Sequence, residues 1–123
     1  VCLLDLNNDI ADFIKVGAPF GIIKRESALE IVEGGALPIG ALDSISPATY
    51  KTTISTKDII IMATDGITDA FQTQENLEEF VMHLASTNPQ TLAETILNEA
   101  LRLNEMSAKD DMTVLVARTY LKN

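Results

Sequence analysis

The longest apolar run in the chain is Asp58-Ile-Ile-Ile-Met-Ala-Thr-Asp65-Gly66, which ends abruptly at an acid and a glycine. A continuous apolar run rich in isoleucine and bounded by turn residues predicts a strand buried on both faces. Before it, apolar positions come in short runs: Val1–Leu6, Ile10–Val16, Phe20–Arg25, Ala28–Glu33 and Ala48–Ser55. Turn-forming residues separate them, among them Asn7-Asn8-Asp9, Gly17-Ala18-Pro19, Glu26-Ser27 and the loop Gly34–Gly40. The first four runs predict a meander of short antiparallel strands, with Ile10, Ile14 and Val16 sharing a face of the second and Leu29 and Ile31 opposing Glu30 in the fourth. After Gly66 the period lengthens. Leu77, Phe80, Val81 and Leu84 recur at helical spacing and predict an amphipathic helix beginning near Glu75. Leu92, Ile96, Leu97, Ala100 and Leu103 form a second stripe, and Asn88-Pro89 ahead of it is a helix N-terminal signature. Met112–Arg118 closes the pattern as another buried-type strand. Strands, two consecutive helices and a last strand make an α+β fold with helices on one face of a sheet.

Charge and composition narrow the partners. There are 18 acidic against 9 basic residues, a net charge of −9. That balance argues against a nucleic-acid partner, which needs clustered lysine and arginine, and favours attraction of hard cations. No apolar run reaches the roughly 18 residues that span a bilayer, so no membrane contact is expected from this segment, and no signal-peptide pattern is present. The single cysteine, Cys2, cannot form an internal disulfide and suits a reducing, cytoplasmic compartment. The chain opens on Val1, already inside a strand-like run, so the expectation is a piece of a longer protein, with no second domain within residues 1–123.

Most catalytic schemes find no residues here. The only histidine, His83, falls on the polar side of its helix, and no Gly-x-Ser-x-Gly elbow exists, which leaves no Ser-His-Asp triad. Cys2 lies in an apolar strand without a basic neighbour and reads as an inert thiol. The Gly34–Gly40 loop lacks the spacing and the lysine of a phosphate-binding loop. Two acidic positions remain. Asp65 ends the central run, and Asp110, in Lys109-Asp110-Asp111, precedes the last strand. If those two strands are antiparallel neighbours, both carboxylates come to one edge of the sheet, about one strand spacing apart. A hard divalent cation takes such a pair. Equally, Asp65 could cap the following helix and Asp110 could sit in a solvated acidic loop. Two carboxylates are too few for a six-oxygen shell or a two-metal centre, and Asp69 is placed to face solvent or cap a helix.

Three stretches carry a family resemblance: Ala11–Arg25 with its Gly17-Ala18-Pro19 turn, Leu37-Pro38-Ile39-Gly40, and Ile60–Ile67 paired with Asp110–Val116. In this order they resemble the C-terminal part of the metal-dependent PPM (PP2C-type) protein serine/threonine phosphatases, closest to the bacterial branch typified by stage II sporulation protein E. The resemblance covers the chain to about Arg118. It implies part of an αββα sandwich, two antiparallel sheets flanked by helices, with Mn²⁺ or Mg²⁺ at one edge. It implies Asp65 and Asp110 as metal ligands and a metal-activated water that hydrolyses phosphoserine or phosphothreonine. The implied substrate is a phosphoprotein, an anti-sigma-factor antagonist in bacterial partner switching. The family's earlier Asp-Gly-x-Gly motif, which carries a bridging aspartate, is absent from this sequence. The isolated chain is therefore expected to be inactive and to expose sheet edges through which copies could associate. The competing expectation is a non-catalytic, phosphatase-like binding or regulatory module.

Overall fold

The computed structural model describes residues 2–15, 20–26, 28–32, 48–105 and 111–120. Seven strands and three helices follow in chain order among these residues. The strands are β1 (Cys2–Asp5), β2 (Ile10–Lys15), β3 (Phe20–Lys24), β4 (Leu29–Ile31), β5 (Ala48–Thr53) and β6 (Ile59–Ala63), with β7 (Val114–Arg118) after the helices. The helices are α1 (Asp65–Ala70), α2 (Gln74–Met82) and α3 (Pro89–Leu103). All strand pairs are antiparallel, in two sheets: a three-stranded sheet ordered β1-β2-β5 and a four-stranded sheet ordered β4-β3-β6-β7.

The expected meander is therefore divided. β1 and β2 form a hairpin, but β2 pairs next with β5, while β3 pairs with β4 and β6 in the other sheet. Burial explains the split. β3 carries Ile22 and Ile23 on opposite faces, both fully buried, so it needs cover on two sides. β2 alternates Ala11 and Phe13 with Asp12, so one covered face suffices. Within β2, Ala11 and Phe13 are buried, whereas Ile10 on the other face is only half-buried. β2 has apolar residues at both parities, and alternation alone does not choose between them. Pairing of Phe13 with Tyr50 directs the Phe13 face toward the second sheet.

β6 is the strand buried on both sides that its composition predicts. Ile60 and Met62 pack between the sheets with Phe13, Ile23, Val32 and Ile54. Ile59, Ile61 and Ala63 face the helices, against Ile67, Leu77, Val81, Leu92, Ile96 and Ala100. Fully burying each such aliphatic side chain contributes about 1.5–3 kcal/mol, so this strand is a main source of cohesion. Both longer helices form where the periodicity places them, except that α2 ends at Met82 and Leu84 packs on the core from beyond its C-cap, His83. In α3, Pro89 occupies the first turn and the Asn88 side chain accepts from the Thr91 N–H at 3.0 Å; in α2, Thr73 caps by accepting from the Asn76 N–H at 3.1 Å. The buried residues of α3 are Leu92, Ile96 and Ala100, while Leu103 at its end is 41% exposed.

The two sheets are joined by a polar network as well as by packing. Arg25, just after β3, pairs with Glu30 of β4, donates to the Thr53 carbonyl of β5 at 2.9 Å, and lies 3.5 Å from buried Asp58. Tyr50 of β5 donates to Glu30 at 2.8 Å.

Candidate metal-binding edge

β6 and β7 are antiparallel neighbours, with Ala63 opposite Val114 at the end of the ladder. The exit of one and the start of the other thus share a sheet edge. The next pair along would be Thr64 and Thr113, exchanging two backbone hydrogen bonds. Only one of these forms: the Thr64 N–H donates to the Thr113 carbonyl at 3.1 Å. The Thr64 carbonyl has already turned away to accept from the Ile67 N–H of the new helix, at 3.0 Å. Its side chain replaces it, accepting from the Thr113 N–H at 3.0 Å while donating to the Asp111 carbonyl at 3.0 Å. One threonine hydroxyl therefore joins the start of α1, which carries Asp65, to the backbone at Asp111 that leads into β7.

The helix begins immediately. Thr64 is the N-cap by position but makes no side-chain cap hydrogen bond, and Asp65 is the first helical residue. The reading of Asp65 as a helix cap is thereby removed. Asp65 is exposed at the first turn of α1, and Thr68 donates to its backbone carbonyl at 3.0 Å. Gly66 is buried directly behind it. Asp69, one turn further on, is exposed. Asp110 lies outside the described residues; it is joined by one peptide bond to Asp111, whose carbonyl the Thr64 hydroxyl holds.

Carboxylate oxygens are the ligand type that Mg²⁺ and Mn²⁺ take, so Asp65, exposed at the start of α1, fits a hard divalent cation in kind. In number it falls short: among the described residues no group of three or more His, Cys, Asp or Glu side chains could hold a metal ion. A six-oxygen shell would need water and further carboxylates.

The other candidates are placed as their sequence setting suggests. His83 is exposed at the C-cap of α2, its Nδ1 2.8 Å from the Glu79 carbonyl. Cys2 is half-buried, and that burial pushes its thiol above the ordinary cysteine value, away from the reactive thiolate. A cavity of about 500 Å³ opens among the helices beside Phe71, Phe80 and Leu103, and Asp65 is not among its lining residues. No described helix is long and apolar enough to cross a membrane. The sequence reading passes over Thr64. A hydroxyl residue between a buried strand and Asp-Gly is a local signal only once the partner strand is known.

Comparison with known proteins agrees with this architecture. Residues 1–120 match the family model of stage II sporulation protein E. Stage II sporulation protein E of Bacillus subtilis (strain 168) is 29% identical over 120 residues, which cover 94% of this chain and 14% of that relative, so the chain spans a small part of its relative's length. The solved phosphatase domain of the same Bacillus subtilis protein superposes with a TM-score of 0.85 at 27% identity, covering 100% of this chain and 55% of that one. The catalytic domain of the serine/threonine protein phosphatase PstP, solved in complex with 2 manganese ions, shares the fold, with a TM-score of 0.68 at 16% identity over 97% of this chain and 56% of that one.

Proposed function

The chain belongs to the stage II sporulation protein E family, whose fold is that of PP2C-type phosphatases, and we propose that residues 1–123 form the C-terminal part of one such metal-dependent serine/threonine phosphatase domain. Within it, Asp65 and Asp110 are the metal ligands this segment contributes. The observation that carries the reading is the Thr64 joint, which ties the backbone bearing Asp65 to the residue next to Asp110. A bound Mn²⁺ or Mg²⁺ pair would lower the pKa of water and neutralise charge on the transferring phosphoryl group. The chain's own part is to hold two carboxylates at one sheet edge on a strand end that is packed on both faces. The remaining ligands come from a part of the parent that supplies the family's Asp-Gly-x-Gly aspartate, and without it the isolated segment is inactive.

By the same family relation the substrate is a phosphoserine- or phosphothreonine-bearing protein, an anti-sigma-factor antagonist, met in the cytoplasm. The net charge of −9 supports a protein rather than a nucleic-acid partner.

A phosphatase assay on the full-length parent with Mn²⁺ tests the assignment. Asp65→Asn and Asp110→Asn are each expected to lose more than the ~10–100-fold that even outer-sphere partners of a metal cost. Activity of either variant within a few-fold of wild type refutes the ligand assignment, and a Mn²⁺-loaded parent that is itself inert favours a non-catalytic phosphoprotein-binding module.

A further inference from the structure

Threonine hydroxyls lock both ends of the β6–β7 pair. At the end remote from Asp65, Thr119 Oγ1 donates to the Ser55 carbonyl at 2.7 Å and approaches the Asp58 carbonyl at 3.1 Å, while the Thr119 N–H donates to Asp58 at 2.9 Å. At the other end, Thr64 Oγ1 accepts from Thr113 and donates to Asp111. Both locks use a threonine hydroxyl, but the Thr119 hydroxyl only donates whereas that of Thr64 both accepts and donates, and they differ in what they hold. Thr119 is 5% exposed and fixes the backbone around residues 55–58. Thr64 is half-buried, directly precedes Asp65, and fixes the residue that directly follows Asp110.

We propose that Thr64 is a positioning residue for the divalent cation: its hydroxyl holds the backbone that bears Asp65 against Asp111, the residue bonded to Asp110, and thereby sets cation affinity. The proposal rests on the reading of those two aspartates as ligands. In this account Thr64 acts through the backbone it holds: its one proton goes to Asp111 and one of its two lone pairs accepts from Thr113. The chemistry needs a hydroxyl. A backbone carbonyl in its place could accept but not donate, and a valine could do neither. The Thr64 carbonyl cannot substitute, since it is committed to Ile67. Without the hydroxyl, the Asp111 turn keeps only the Thr64 N–H to Thr113 carbonyl bond of this three-bond junction. Mg²⁺ demands near-ideal octahedral geometry at roughly 2.0–2.1 Å, so a drift of the start of α1 against the Asp111 backbone falls directly on affinity.

The test uses the full-length parent and Mn²⁺ alone, with affinity read by calorimetry and melting measured separately on metal-free protein. Thr64→Val should weaken Mn²⁺ binding about 10-fold, and Thr64→Ser should restore it to within about twofold. Thr119→Val removes the matching lock, so it should lower the metal-free melting temperature while leaving Mn²⁺ affinity at the wild-type value. If Thr64→Val does not fold, Thr64→Cys, with a weak donor and acceptor, should show an intermediate affinity; wild-type affinity there overturns the proposal. Asp65→Asn separates the two levels of the argument. If it binds Mn²⁺ like wild type, the ligand reading fails and this proposal with it. If it loses Mn²⁺ while Thr64→Val binds normally, or if Thr119→Val weakens Mn²⁺ as much as Thr64→Val, only the positioning role is overturned.

Discussion

A β-carbon added to Gly66 would lie 2.3 Å from the backbone carbonyl oxygen of Asp111 and 3.0 Å from its carbonyl carbon. The obstacle is backbone, not the end of a flexible side chain, so it cannot swing aside. Gly66 is therefore required by the closeness of the two turns. Gly66→Ala must push α1 away from the Asp111 segment or break the Thr64 joint. The expected cost is about 1–3 kcal/mol of domain stability, the usual penalty for overpacking a close contact. Urea denaturation of the parent's phosphatase domain measures it. Stability equal to wild type would mean that the turns are not held at this distance.

The helix stripe on α3 depends on how the helix is started. Asn88 satisfies the Thr91 N–H and stands directly before Pro89. Asn88→Ala should cost about 1 kcal/mol, and Asn88→Ser or Asn88→Asp much less, because the capping oxygen is kept. The midpoint of denaturant unfolding reads the difference. Equal losses for alanine and serine would show that the side chain does not cap.

Ile61 is fully buried on the helix side of β6, opposite Ile22 and Val116 across its two neighbouring strands. Ile61→Ala leaves a cavity between the sheet and the helices and should destabilise the domain by about 2–5 kcal/mol. Leu115→Ala, by contrast, removes a side chain that is 56% exposed on the edge strand and should cost far less. Similar losses for the two would contradict the placement of β6 at the centre and β7 at the edge.

These contrasts also show what could be read from the residues. β6 declared itself because Ile59, Ile60 and Ile61 leave no polar face, and α3 because Asn88-Pro89 and its stripe agree. The antiparallel pairing of β6 with β7 stood in the sequence only as a condition, because helices between two strands do not fix the direction in which the second one returns. The assignment of β2 to a different sheet from β3 was not legible, since turn residues announce a break without saying which partner the next strand finds. Nor was the burial of Ala11 and Phe13 in preference to Ile10, which is decided by the register with β5. The short helix α1 has too few residues for a period, and its start is governed by contacts to Asp111 and Thr113, more than 40 residues away. Of the candidate ligands, Asp65 was visible as an acid at a buried strand's end, whereas the means of holding its turn against the other emerged only from the fold.

Glu30 gives the fold a pH dependence with a defined sign. Burial alone would raise its carboxyl, but hydrogen bonds from Arg25, Thr52 and Tyr50, with the Arg25 charge, outweigh that and hold it below the ordinary glutamate value. The unfolded chain then binds more protons than the native one in the window between the two values, so stability rises with pH there. The contribution is fully present above the unfolded value, about 4.3, and is lost as pH falls through the lower native value. Glu30→Gln keeps the shape and one acceptor but removes the charge that Arg25 faces. It should lower stability at neutral pH and flatten the decline of the urea midpoint as pH falls below about 4.3. Measuring that midpoint against pH at constant salt, for wild type and Glu30→Gln, checks the assignment. An unchanged slope would place the acid sensitivity on other carboxylates and leave the Arg25–Glu30 pair as a surface contact of little consequence.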